Sequence, residues 1–162
     1  MRVPAELIPG SAADLDAVLE LLRRTDAEAG FDPNIITRDA AASFNSIKAP
    51  AQGYQFYARV GDRLVGYGRL ERSPLDREGV GVVALTVTAD YRGKGLGEAL
   101  LRALLDAAAA AGPREVWLSV RPGNVPAIRL YEKLGFAHVS KAPPGGWAVP
   151  REATMVWRPG QL

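Results

Sequence analysis

The residues with the clearest chemical meaning form a short segment, Arg92-Gly-Lys-Gly-Leu-Gly97. Its three glycines at alternate positions leave backbone N–H groups uncovered, and two cationic side chains stand beside them. Backbone N–H groups at the start of a helix, together with the positive end of the helix dipole, bind anions. If a helix begins here, the segment is a site for a phosphorylated ligand.

The pattern around the glycines predicts such a helix. Residues 82–87 are apolar and mostly β-branched, which is typical of a strand buried on both faces. Leucines then recur at the spacing of one helix face, at Leu96, Leu100, Leu101, Leu104 and Leu105. A strand, a tight turn and a helix therefore position the glycine-rich segment.

Hydrophobic periodicity predicts about seven strands and four helices. We expect strands near 5–8, 54–60, 63–71, 82–88, 115–120, 136–140 and 153–157. We expect helices over 12–24, 37–47, 97–111 and 124–134, with Ser11 capping the first and a loop from Asp26 to Pro33 after it. The strands on either side of the third helix should be parallel. The fold class is α/β with a mixed sheet, and we expect a single domain over residues 1–162.

Several glycines carry specific predictions. Gly66 and Gly68 interrupt a predicted strand, which indicates a bulge or the close approach of another group. Gly61 and Asp62 separate two strand-like runs and predict a hairpin turn. Gly135 follows the predicted fourth helix, where a left-handed C-cap would lie.

Composition excludes several functional classes. The net charge of +2 and a pI near 9.1 are a mild bias toward anionic ligands, without the clustered Lys and Arg of a nucleic-acid surface. The absence of cysteine excludes disulfides, thiolate nucleophiles and cysteine–zinc sites. We interpret the one histidine, His138, as structural, and we expect no metal site. No apolar run reaches the ~18 residues of a membrane span, so we expect a cytoplasmic protein without membrane partners.

The glycine-rich segment is followed by a second motif, Asn124 and Ala127-Ile-Arg-Leu-Tyr-Glu-Lys-Leu-Gly-Phe136. From about Val82 to Phe136 the sequence resembles the GNAT superfamily of N-acetyltransferases. The turn alone is a weak signal, whereas the turn and the second motif at this spacing are a strong one. The resemblance implies a GNAT-like acyl-CoA N-acyltransferase fold. It also implies an enzyme that moves an acetyl group from acetyl-CoA to an amine.

The resemblance implies a cofactor role for each matching residue. Backbone N–H groups of the turn would hold the pyrophosphate of coenzyme A, and the main chain of a short strand stretch would pair with the pantetheine arm. Asn124 would hydrogen-bond that arm, Ala127 belongs to the same set, and Tyr131 would stand near the sulfur. The turn residues are Arg92, Gly93, Lys94, Gly95, Leu96 and Gly97, and the strand residues are Leu85, Thr86 and Val87.

The implied chemistry is attack by a neutral amine on a thioester, which expels a thiolate. A phenol with a pKa of about 10 is close enough to a thiol near 8.5 to deliver a proton as the C–S bond breaks. Within the whole motif Tyr131 is therefore the candidate general acid, although alone it would be typical of a core tyrosine. Asn124 is equally typical of a helix cap ahead of Pro126, and both roles are compatible.

The general base is less defined by the sequence. Ribosomal-protein N-terminal alanine acetyltransferases of this superfamily carry a glutamate on the strand before the asparagine, where this chain has Ser119. Glu71, at the end of a predicted hairpin strand, is the remaining candidate base, and water is the alternative. Weaker candidates, each more typical of a solvated charge, are Asp26, Glu28, Asp76 and Glu78.

The sequence indicates the class of the acceptor substrate but not its identity. We expect the primary amine of a small molecule, attacked directly in a ternary complex. The alternatives are a non-catalytic acyl-CoA sensor and a peptide or protein N-terminal acetyltransferase. A dinucleotide-binding enzyme is disfavoured, because the glycines do not have the G-x-G-x-x-G spacing. Homodimers are common in the superfamily, and nothing in the sequence determines the oligomeric state.

Overall fold

The computed structural model describes residues 5–45, 53–72, 80–140 and 152–159. Within them the chain forms one mixed sheet of seven strands and four α-helices, which confirms the predicted fold class. The strands are Glu6–Pro9 (β1), Gly53–Val60 (β2), Arg63–Arg72 (β3), Val80–Val87 (β4), Glu115–Val120 (β5), Ala137–Val139 (β6) and Ala153–Trp157 (β7). The helices are Leu15–Glu28 (α1), Arg38–Phe44 (α2), Leu96–Ala111 (α3) and Val125–Lys133 (α4).

Hydrogen bonding orders the strands β1-β2-β3-β4-β5-β7-β6. The chain groups into two compact units, Met1–Arg69 with Leu85–Leu104, and Leu70–Ala84 with Leu105–Leu162. Strands β3 and β4 and helix α3 each continue from one unit into the other.

In the first unit β2 separates two hydrophobic clusters. Tyr57 is buried with Val18 and Leu21 of α1, whereas its neighbour Ala58 is buried with residues of β3 and α3. Consecutive side chains of a strand point to opposite faces, so the pleat of β2 gives each cluster one set of residues. Strand β1 pairs with β2 in antiparallel register. Burial of each large apolar side chain stabilises this unit by about 1.5–3 kcal/mol.

In the second unit the beginning of β4 pairs with β5 in parallel register, as predicted. Strand β7 lies antiparallel to both β5 and β6, so the sheet is mixed. Trp117 of β5 is 2% exposed and packs with Val80 and Val156. These contacts bury the start of β4, where Val80 is 4% exposed.

The boundaries of α1 differ from the prediction. Ser11 lies in a 3₁₀ turn, Gly10–Ala12, and the side chain of Asp14 caps α1 by accepting from the Ala17 N–H at 3.3 Å. The helix also continues to Glu28, so the predicted loop from Asp26 was wrong at its start. Glu28 and Arg24 hold this extra turn through contacts with residues after β4, which no local pattern indicates.

The close approach predicted at Gly66 and Gly68 is confirmed. A Cβ at Gly66 would lie 2.9 Å from the Thr86 carbonyl oxygen, and one at Gly68 would lie 3.0 Å from Leu104 of α3. The absence of side chains therefore lets β3 approach β4 and α3 closely. The other glycine predictions also hold, since Gly61 (φ 61°) and Gly135 (φ 100°) are left-handed.

Candidate functional site

The glycine-rich turn between β4 and α3 presents bare backbone. Gly93 and Gly95 have φ angles of 73° and 84°, the left-handed region that glycine adopts without a steric penalty. Apart from the glycine itself and its two chain neighbours, no atom of the described residues lies within 4 Å of the position that a Cβ would take at Gly93 or Gly95. The turn is therefore open on the side where side chains would otherwise stand. We call Arg92–Gly97 the cradle.

Helix α3 begins inside the cradle and adds backbone donors to it. The Ala99 N–H donates to the Gly95 carbonyl at 3.1 Å, so Gly95 occupies the N-cap position and has no side chain to cap with. The N–H groups of the first helical turn, those of Leu96, Gly97 and Glu98, have no acceptor within the helix. Leu96 and Leu100 are buried and fix the helix start to the core. The arrangement has the donors and the dipole of an anion site.

The strand before the cradle offers main-chain groups. The register of β4 with β5 ends at Val82 and Trp117, so Leu85, Thr86 and Val87 lie beyond it. Just after them, the Thr88 N–H donates to the Val65 carbonyl of β3 at 2.8 Å. One edge of β4 faces β3 and the other faces β5. On the β5 edge, the main-chain groups of Leu85–Val87 lie beyond the residues that pair with β5. Such an edge pairs readily with an extended ligand.

A cluster of charges joins α1 to the residues before the cradle. The Ala89 N–H donates to the Glu28 carboxylate at 3.0 and 3.2 Å, and Arg92 Nη2 lies 3.5 Å from the same carboxylate. Arg24 reaches Asp90 at 2.6 Å and Glu28 at 3.5 Å. The sequence indicated Glu28 only as a weak candidate base. In the structure its carboxylate instead contacts the Ala89 N–H and Arg92 of the turn before the cradle. A charge on an amphipathic helix carries no sequence signal for a contact 61 residues away.

Asn124 caps α4, as one of its two predicted roles requires. Its Oδ1 accepts from the Ala127 N–H at 3.4 Å, and Pro126 in the first turn has no N–H. The Asn124 side chain is exposed, and Ala127 is half-buried. Both residues lie in the second unit, on the first turn of the helix that carries Tyr131.

Tyr131 is half-buried on α4, and its ring centroid lies 5.8 Å from that of Phe136. The chain returns to this ring because the Phe136 N–H donates to the Tyr131 carbonyl at 3.0 Å around the left-handed Gly135. Burial raises the pKa of Tyr131 above its ordinary value of 10.0. The phenol is therefore protonated at neutral pH, the form that a proton donor needs.

The predicted bases lie in different surroundings. Glu71 is exposed near the end of β3, and Asp76 and Glu78 lie outside the described residues. Ser119 of β5 has its Oγ buried without a hydrogen-bond partner in the described part of the chain. No side-chain charge therefore stands at that strand position.

The described residues contain neither a cluster of metal-binding side chains nor a membrane-spanning helix. No group of three or more His, Asp or Glu side chains there is arranged to hold a metal ion. None of the helices there combines the length and the apolar character that crossing a bilayer requires.

Comparison with known proteins identifies relatives over parts of the chain. A mycothiol acetyltransferase of Corynebacterium glutamicum is 41% identical over 76 residues, which are 47% of this chain and 25% of that protein. The N-alpha-acetyltransferase RimI of Mycobacterium tuberculosis is 37% identical over 102 residues, 60% of this chain and 61% of that protein. The ribosomal protein bS18-alanine N-acetyltransferase of Escherichia coli is 48% identical over 52 residues, 32% of this chain and 35% of that protein. The chain spans less than two thirds of the length of each of these relatives.

Solved structures share the whole fold. An acetyltransferase of the GNAT family from Streptococcus pneumoniae has a TM-score of 0.77 at 22% identity, over 96% of this chain and 99% of that chain. The acetyltransferase yncA of Salmonella typhimurium, solved with acetyl-CoA, has a TM-score of 0.76 at 17% identity, over 96% and 94%. Residues 15–136, most of the chain, match the model of the Acetyltransferase (GNAT) family. This protein belongs to the acetyltransferase (GNAT) family.

Proposed function

We propose that this protein transfers an acetyl group from acetyl-CoA to the primary amine of a small molecule, by direct attack in a ternary complex. The observation that carries the proposal is the cradle, where two left-handed glycines leave open space above bare backbone at a helix start. Family membership supports the same donor, because GNAT acetyltransferases use acetyl-CoA.

The chain has residues that fit each part of the cofactor. Backbone N–H groups of Arg92–Gly97 would hold the pyrophosphate, and the exposed Arg92 and Lys94 side chains would add positive charge. The main chain of Leu85–Val87, beyond the β5 register, would pair with the pantetheine arm. Asn124 and Ala127 would contact the same arm. The cofactor would supply an acetyl group activated as a thioester.

Tyr131 is the proposed general acid. Its burial keeps the phenol neutral, so it holds the proton that the departing sulfur takes up when the C–S bond breaks. An ordinary phenol, with a pKa of about 10, is a slightly weaker acid than a thiol near 8.5. Burial raises the pKa of Tyr131 and widens this gap, so the phenol gives up its proton only as negative charge develops on the departing sulfur.

Glu71 is the proposed base that removes the proton from the attacking amine. It is exposed near the end of β3. Water takes this role if Glu71→Gln leaves the rate unchanged. A small loss, below about tenfold, would fit a base that water replaces in part.

A peptide N-terminus is the second candidate acceptor. The similarity to RimI of Mycobacterium tuberculosis favours it, since 61% of that N-alpha-acetyltransferase is covered. Against it stands Ser119, which puts no charge where the alanine acetyltransferases that this chain resembles carry a glutamate. The mycothiol acetyltransferase relative favours a small acceptor.

One experiment tests the donor and then the acceptor. Purified protein is heated with and without millimolar acetyl-CoA; binding at 100 times the Kd should stabilise it by about 2.7 kcal/mol. Absence of stabilisation would remove the cofactor from the proposal. Small amines, amino acids and N-terminal peptides are then screened for acceptor-dependent release of thiol. Stabilisation without release for any acceptor would identify an acyl-CoA sensor.

A further inference from the structure

We propose that Glu28, the last residue of α1, is a positioning residue of the acyl-donor site. Its carboxylate would fix the start of the turn that leads into the cradle and orient Arg92 toward the pyrophosphate. The inference rests on the proposed function, because it concerns the same donor site. It assigns a role to a helix that supplies none of the predicted cofactor contacts.

The first contact is between Glu28 and the backbone after β4. The 3₁₀ turn Ala89–Tyr91 follows that strand and leads directly to Arg92. Both Glu28 oxygens accept from the Ala89 N–H, at 3.0 and 3.2 Å. The first N–H of a 3₁₀ turn has no acceptor within the turn, so the carboxylate satisfies it from another helix. The Glu28 side chain is 21% exposed, although the residue as a whole lies at the surface.

The second contact is between Glu28 and Arg92. Arg92 Nη2 lies 3.5 Å from Glu28 Oε2, and Arg92 Nε donates to the Val87 carbonyl at 3.0 Å. Two acceptors thus hold the guanidinium from the strand side and the helix side. The Arg92 side chain remains 60% exposed, and a guanidinium has five N–H donors, so donors remain for a phosphate. Glu28 therefore orients Arg92 without burying it.

Arg24 and Asp90 keep the cluster balanced. Arg24, one helical turn before Glu28, contacts Glu28 at 3.5 Å and Asp90 at 2.6 Å. Two cations and two anions sum to zero, so the cluster orders the turn without adding negative charge to an anion site. A lone glutamate beside the pyrophosphate would instead repel it.

Helix α1 offers a matched control in Glu20. Glu20 pairs with Arg63 at 3.3 Å, its side chain is 61% exposed, and it lies about two helical turns before Glu28. A Glu20→Gln variant therefore removes an ion pair of the same helix and the same type. It separates a general effect on α1 from a specific effect on the donor site.

The test measures the Kd of coenzyme A by titration calorimetry, with no acceptor needed. We expect Glu28→Ala to raise the Kd about tenfold, as loss of a charged hydrogen bond would. Glu28→Gln keeps an oxygen for the Ala89 N–H and should raise it only about threefold. Glu20→Gln should leave it unchanged. The same ratios should hold for 3′-dephospho-coenzyme A, which retains the pyrophosphate.

A double variant tests whether the effect passes through Arg92. In an Arg92→Gln background, Glu28→Gln should cost nothing further, because its partner guanidinium is gone. A full threefold loss in that background would overturn the orienting role, and a Glu28→Ala variant that binds like Glu20→Gln would overturn the whole inference. If the wild-type protein does not bind coenzyme A, the proposed function itself fails. Matched melting temperatures of the variants confirm that each is folded.

Discussion

Helices α3 and α4 each follow a parallel strand, and their first turns are built differently. Helix α3 begins after Gly95, a left-handed residue (φ 84°) with no side chain to cap the helix. Helix α4 begins after Asn124, whose side chain accepts from the Ala127 N–H, and Pro126 in its first turn has no N–H. The start of α4 therefore satisfies its own donors, whereas the residue before α3 has no side chain to do so.

This difference assigns separate tasks to the two helices in the proposed function. The α3 start would bind the donor through backbone N–H groups, which need no side chains at Gly93, Gly95 and Gly97. The first turn of α4 satisfies its own N–H donors, so the proposed contribution of α4 is made by Tyr131, further along the helix. Burial raises the pKa of Tyr131 and keeps its phenol protonated. Substitutions at α3 should change cofactor affinity, and substitution of Tyr131 should change the rate.

The largest effect is expected from Tyr131→Phe. General acids contribute about 10²- to 10⁴-fold, so kcat should fall by at least about 10² while the Kd of coenzyme A stays unchanged. Thiol release at saturating acetyl-CoA gives kcat, and calorimetry gives the Kd. Tyr91→Phe is the control, because this half-buried side chain packs against the hydrophobic cluster that contains Val65 and only its hydroxyl is lost. A turnover unchanged by Tyr131→Phe would remove this phenol from the mechanism.

A smaller effect is expected from a substitution at the start of α3, and it should change the Kd of coenzyme A without changing the rate. Gly95→Ala forces a left-handed alanine, which costs about 1–2 kcal/mol, and places a methyl group in the open space of the cradle. The Kd of coenzyme A should rise about tenfold or more. Gly61→Ala is a matched control, since Gly61 also has a positive φ (61°) and open surroundings but lies in the β2–β3 turn. Equal loss of affinity in both variants would mean that strain, and not the cradle, is responsible.

The two roles of Asn124 can be separated by two substitutions. Asn124→Ala removes the cap and should lower the free energy of unfolding by about 1 kcal/mol. Asn124→Asp keeps a capping oxygen and the stability, but it cannot donate a hydrogen bond to the cofactor arm. We expect its Kd for coenzyme A to rise about fivefold, measured by calorimetry beside denaturant unfolding. An unchanged Kd in Asn124→Asp would leave capping as the only role.

The same contrast explains what the sequence was able to predict. The β4–cradle–α3 segment and the cap of α4 are encoded by neighbouring residues, through β-branched runs, glycine φ angles and helical spacing. They were predicted within two residues of their observed boundaries. Gly66 and Gly68 also predicted close packing correctly, because a glycine within a strand is visible in the sequence and indicates the close approach of another group.

Contacts between distant residues were not predictable in this way. The start of α1 was misassigned because Ser11 and Asp14 are both good caps, and only the chain path through the Gly10–Ala12 turn decides between them. Its end was misassigned because Glu28 is held by Ala89, far along the sequence. A glutamate on an exposed helix face has the same local pattern whether it meets solvent or a backbone N–H.

The smallest expected effect concerns the pH dependence of the rate. A general acid must be protonated before transfer, so Tyr131 acts below its folded-state pKa and stops acting above it. An ordinary phenol would be about half ionised at pH 10, and the rate would be halved there. Burial raises the pKa of Tyr131, so kcat at saturating substrates should keep more than half of its plateau value at pH 10 and fall to half only at a higher pH. Tyr131→Phe should lose this decline of the rate at high pH. A wild-type decline with its midpoint at or below pH 10 would contradict the acid role of this half-buried phenol.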